Sequence, residues 1–77
     1  MNAQRRKAIS KIIEILSDQK ENLDQIREEE QDCYDNLPEG IQYSERGEAM
    51  SEICDDLDSA LYDLENIIDA LQDIIDR

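Results

Sequence analysis

The sequence predicts an all-α fold: an antiparallel two-helix hairpin of coiled-coil type that pairs into a four-helix bundle. Three observations lead there. Glycine and proline together number three in 77 residues, while Glu, Asp, Leu, Ile and Gln abound, a composition that favours helix. Apolar residues recur at alternating spacings of three and four over two long stretches. One break, Asn36-Leu37-Pro38-Glu39-Gly40, separates the stretches. Few aromatics and a net charge of −13 would also suit a disordered chain, and the sustained periodicity decides against that.

Helix one is expected at 3–36, with a seam of Ile9, Ile12, Leu16, Gln19, Leu23, Ile26, Glu30, Cys33 and Leu37. Gln19 and Glu30 interrupt it. The turn is expected at 37–44, because Pro38 pushes Leu37 out of helical geometry and Gly40 can take positive φ. Helix two is expected at 45–77, capped by the Ser44 hydroxyl with Glu45 and Glu48 in its first turns. It carries two overlapping seams. Met50, Ile53, Leu57, Ala60, Leu64, Ile67, Leu71 and Ile74 form one; Cys54, Leu57, Leu61, Leu64, Ile68, Leu71 and Ile75 form the other. Side by side they make a face wider than one partner helix covers. The residues expected to carry self-association into a twofold homodimer are therefore Met50, Ile53, Leu57, Leu61, Leu64, Ile68, Leu71 and Ile75. The hairpin also brings Cys33 near Cys54.

Catalysis finds little to stand on, and the protein is expected not to be an enzyme. There is no His, the usual general acid–base at neutral pH. Cys33 and Cys54 lie on or beside apolar seams without a base, so both read as packing residues. No metal or cofactor is expected. Glu-x-x-His pairs are absent, Asp55-Asp56-Leu57-Asp58 lacks the spacing and glycine of a calcium loop, and no glycine-rich phosphate loop occurs. No apolar run approaches the roughly 20 residues of a membrane span, and Met1–Lys7 is not followed by a signal-peptide core. The protein is read as cytoplasmic, with both thiols reduced.

The 21 acidic residues against 8 basic ones exclude ordinary binding to nucleic acid or anionic lipid. They favour a protein partner with a basic, nucleic-acid-binding surface. Charged faces usually only solvate a fold, but two features point further. First, Glu52, Asp55, Asp58, Tyr62, Glu65, Asp69 and Asp73 fall on or beside one stripe of helix two, opposite its apolar arc. Carboxylates three and four residues apart on a helix have Cβ atoms about 5–6 Å apart, comparable to the roughly 6–7 Å between successive phosphates of a DNA strand. Second, this placement opposes stability: Glu28/Asp32 and Asp69/Asp73 are like-charge i, i+4 pairs, and acids crowd both helix C-termini against the macrodipole. Tyr62, among the acids, can stack on a partner's arginine. The basic start, Arg5, Arg6, Lys7 and Lys11, is expected to clamp onto the acidic finish of helix two.

Asn36-Leu37-Pro38-Glu39-Gly40-Ile41-Gln42-Tyr43-Ser44-Glu45-Arg46-Gly47-Glu48 resembles the turn of small acidic helical proteins encoded by phages and mobile elements of Gram-positive bacteria. Asp58-Ser59-Ala60-Leu61, Asp69-Ala70-Leu71 and the opening Gln4-Arg5-Arg6-Lys7 fit as well. The family has no settled activity, so no site transfers. What the resemblance implies is context: such proteins often antagonise host defence or DNA enzymes by occupying a nucleic-acid groove. The leading expectation is an inhibitor of anti-CRISPR or anti-restriction type that presents a DNA-like acidic surface. The alternatives are a structural or assembly coiled coil acting through the apolar face of helix two, and an antitoxin-like neutraliser of a basic toxin.

Overall fold

A computed structural model describes residues 1–77 as a rod of 58 × 15 × 12 Å, helical almost throughout and without strands. Helix α1 spans Ala3–Asp35, α2 Glu39–Gln42 and α3 Glu45–Asp76. The expected two helices become three because the turn itself winds into one helical turn after Pro38, whose φ of −55° suits a helix start.

Both ends of α1 and the start of α3 have a local chemical cause. The Asn2 side chain caps α1 by accepting from the Arg5 backbone N–H at 2.8 Å. At the far end, helix propagation stops before the Leu37-Pro38 pair, and the Gln42 amide donates to the carbonyls of Tyr34 at 3.1 Å and Asp35 at 3.4 Å. That side chain satisfies the Asp35 carbonyl, left orphaned by the end of the helix, and joins the Leu37 N–H at the Tyr34 carbonyl. Ser44 caps α3 as expected: its hydroxyl oxygen accepts from the Gly47 N–H at 3.4 Å, and Glu45 and Glu48 lie in the first turn. Gly40, expected to use positive φ, does not; no glycine has positive φ, and Gly40 lies inside α2. The glycine the turn depends on is Gly47. It is buried, and a Cβ there would collide with the backbone carbonyls of Ile41 and Gln42.

Helices α1 and α3 run antiparallel. Lys20 pairs with Glu65 and Arg27 with Asp58, seven residues later on one helix and seven earlier on the other. The α3 residues turned inward are Met50, Cys54, Leu57, Leu61, Leu64, Ile68, Leu71 and Ile75. This is the second of the expected seams with Met50 added. It packs on α1, so seven of the eight residues expected to carry self-association belong to the hairpin's own seam. The eighth, Ile53, is exposed.

On α1 the seam differs from the expected one in every second member. Ile9, Leu16, Leu23, Glu30 and Leu37 are partly buried as expected, but Ile13, Lys20, Arg27 and Tyr34 replace Ile12, Gln19, Ile26 and Cys33. The replacements sit one residue further along the helix. This rotation brings Lys20 and Arg27 to carboxylates of α3 and leaves Ile12 and Ile26 in water. Cys33, expected to pack, is exposed; Cys54 is buried, and both thiols are free. Only Cys54 and Leu61 form a buried apolar core, and no side chain is fully enclosed, because two helices alone enclose little volume.

Candidate functional site: an acidic edge opposite an isoleucine edge

The register divides the rod lengthwise into two unlike edges. Along one run Ser17, Asp24 and Gln31 of α1 and Ser51, Asp58, Glu65 and Gln72 of α3, each one residue beyond an inward position. Along the other run Ile12, Gln19, Ile26 and Cys33 of α1 and Ile53, Ala60, Ile67 and Ile74 of α3, each one residue before an inward position, and all eight are exposed.

The polar edge opens as a shallow groove between the helices. Ser17, Lys20, Glu21, Asp24 and Arg27 of α1 and Asp58, Leu61, Tyr62, Glu65, Ile68 and Asp69 of α3 line it. Two half-buried cations form its floor. Lys20 Nζ lies 3.6 Å from Glu65 Oε2. Arg27 Nε donates to Asp24 Oδ1 at 3.0 Å and lies 3.5 Å from Asp58 Oδ1, and Arg27 Nη2 lies 3.9 Å from Glu28. The hydrogen bond to Asp24, opposed by partial desolvation and helped by Asp58 and Glu28, raises the Arg27 pKa further above its already basic value.

The expected recognition residues share this side of α3, but they divide in two. Asp58 and Glu65 are engaged across the hairpin. Glu52, Asp55, Asp69 and Asp73 are exposed and make no ion pair within the chain. Tyr62 stands among them, 66% exposed, with its ring on the groove wall. Glu21 and Asp24 of α1 line the groove with Asp58, Tyr62, Glu65 and Asp69, while Asp55 and Asp73 lie outside it and Glu52 borders the hollow at the turn end. The α3 stripe alone did not reveal Glu21 and Asp24, because which face of α1 joins it depends on the register between the helices.

The expected clamp at the open end takes another form. Arg6 Nη2 donates to the main-chain oxygen of Arg77 at 2.9 Å, not to Asp73 or Asp76, and Lys11 pairs with Glu14 on its own helix. A smaller hollow at the turn end is lined by Tyr34, Gln42, Tyr43, Glu48, Ser51 and Glu52. No group of three potential ligands gathers closely enough to hold a metal ion, and no helix is long and apolar enough to cross a membrane.

What the arrangement can do chemically is electrostatic. Neither edge gathers a nucleophile and a base. One presents rows of carboxylates from both helices around a cation-braced groove; the other presents branched aliphatic side chains. No family model matches the chain, and neither curated proteins nor solved structures show significant similarity to it.

Proposed function

We propose that the protein is a non-enzymatic binding module whose acidic edge occupies a basic, nucleic-acid-binding surface on another protein, and so inhibits it. The observation that carries this reading is the gathering of carboxylates from both helices along one side: Glu21 and Asp24 of α1 across the groove, and on α3 Glu52, Asp55, Asp58, Glu65, Asp69 and Asp73, whose three- and four-residue steps rise by about 4.5–6 Å, comparable to DNA phosphates. Glu52, Asp55, Asp69 and Asp73 supply unpaired charge, and Tyr62 offers a ring to an arginine of the partner. Asp58 and Glu65 shape the groove through Arg27 and Lys20. The net charge of −13 steers such an encounter and repels nucleic acid itself. The likeness of the turn to small phage-type acidic proteins supports a role against host defence or DNA-processing enzymes, and the two free thiols suit the reducing cytoplasm.

The test is capture followed by competition. Proteins retained by the wild type from a bacterial extract are compared with those retained by a variant carrying Asp55→Asn, Asp69→Asn and Asp73→Asn. A retained protein that the variant loses, and that duplex DNA displaces from the wild type, supports the reading. Equal retention by both proteins, with no displacement by DNA, contradicts it.

A second reading concerns assembly, and the isoleucine edge favours it: two hairpins pair along this edge into a four-helix bundle, a twofold homodimer. The two readings are compatible, since the edges lie on opposite sides of the rod.

A further inference from the structure

We propose that the second copy docks antiparallel on the isoleucine edge, turn end beside open end. This inference rests on the bundle reading above and is independent of what the acidic edge binds. Its first support is the edge itself. Ile12, Ile15, Ile26, Ile53, Ile67 and Ile74 are each 38–53% exposed, and they run the length of the rod on two antiparallel helices. The register levels Ile12 with Ile74 at the open end and Ile26 with Ala60 beyond the middle.

Area gives the second support. Folded monomers of 9.0 kDa expose about 4,900 Å² by the usual scaling with mass. This chain exposes 5830 Å². The excess, roughly 1,000 Å², is close to the roughly 800 Å² that each partner buries in a standard stable interface.

Charge selects the occupant and its orientation. The open end holds Arg5, Arg6, Lys7, Lys11 and Arg77 against Asp73 and Asp76, a balance of +3 from residues 1–13 and 72–77. The turn end, residues 28–57, holds eleven acids against Arg46, a balance of −10. A twofold axis across the middle of the rod sets the positive end of each copy beside the negative end of the other. A side-by-side pairing with both turns at one end would stack the two acidic ends together. The chain therefore carries, on itself, both halves of a complementary surface, as an isologous interface requires.

The mass of the wild type is measured by sedimentation equilibrium at tens of micromolar, alongside Ile67→Asp and Ile26→Asp. Both substituted positions are exposed in the hairpin, so circular dichroism should show the helices retained. The expected result is twice the chain mass for the wild type and the chain mass for the variants. Orientation is read with a short bismaleimide cross-linker on Gln19→Cys in a Cys33→Ser background, compared with the wild type, whose exposed thiol is Cys33. Antiparallel pairing brings position 19, near the middle of α1, close to its own copy and separates the two Cys33 thiols. Only the Gln19→Cys variant should then cross-link. A monomeric wild type, or a dimer indifferent to both aspartates, overturns the bundle reading and this inference together. A dimer that the aspartates dissociate, but that cross-links through Cys33 or fails to cross-link through position 19, overturns the antiparallel arrangement and leaves the bundle standing.

Discussion

Gly47 illustrates how a single residue's role depends on what packs against it. In an exposed helix interior, replacing glycine by alanine gains about 1 kcal/mol. At Gly47 the added methyl would meet the carbonyls of Ile41 and Gln42, which are backbone atoms held by the turn. Gly47→Ala should therefore destabilise the fold by about 1–3 kcal/mol, measured as a lower urea midpoint; an unchanged or higher midpoint would show that the turn can yield. The sequence marks Gly47 only as a glycine in a helix, since its neighbours come from a turn whose path no local pattern specifies. Cys54 makes the same point. Its thiol pKa is raised, first by burial and then by the negative charges of Glu30, Asp55, Asp58 and Asp35. Because the folded value lies above the unfolded one, the stability this thiol contributes is whole below the unfolded pKa. It is lost as pH rises through the folded pKa. The thermal midpoint of the wild type should fall faster above pH about 8.5 than that of Cys54→Ala, which has no proton to lose. Parallel declines in the two proteins would refute this.

Among the elements, α3 was legible and α1 only half so. Leu57, Leu61, Leu64, Ile68, Leu71 and Ile75 belong to a broad apolar face whose helical extent and position the spacing marks. On α1, the rows through Ile12 and Ile13 share Leu16 and Leu23, and periodicity alone favours the one with Ile26. The fold uses the other, in which Lys20 and Arg27 lay their aliphatic stems on the seam and reach carboxylates of α3 with their charged ends. The two cations are not equivalent. Lys20 has one partner at 3.6 Å, a weak pair, at a position where an apolar side chain would bury more. Lys20→Leu should raise stability by about 1 kcal/mol. Arg27 gathers Asp24, Asp58 and Glu28, and Arg27→Gln, which leaves them facing one another, should lower stability. Urea unfolding of both variants checks the contrast; equal shifts would mean that the groove floor is not organised as described.

For the molecule as a whole, the acidic stripe of α3 could be read from the sequence because surface charge at helical spacing needs no tertiary information. Which half of the broad apolar face of α3 meets α1 could not be read in that way. Two adjacent seams share Leu57, Leu64 and Leu71, and only contact with α1 decides that Cys54, Leu61, Ile68 and Ile75 turn inward while Ile53, Ala60, Ile67 and Ile74 stay outside. The result is a rod with two separable edges, one electrostatic and one apolar. Affinity through an electrostatic edge weakens as salt screens it, over a Debye length of about 10 Å at 0.1 M. Affinity through an apolar edge does not.

The most direct measurement of that division is the affinity of a captured partner for the wild type, for the Asp55→Asn/Asp69→Asn/Asp73→Asn variant and for Ile67→Asp, across a salt series. Recognition through the acidic edge predicts a wild-type affinity that falls steadily with salt, a variant with weaker affinity and a shallower fall, and an Ile67→Asp protein that still binds with a salt dependence of the same kind. An affinity indifferent to salt and to the three asparagines, but abolished by Ile67→Asp, would contradict it.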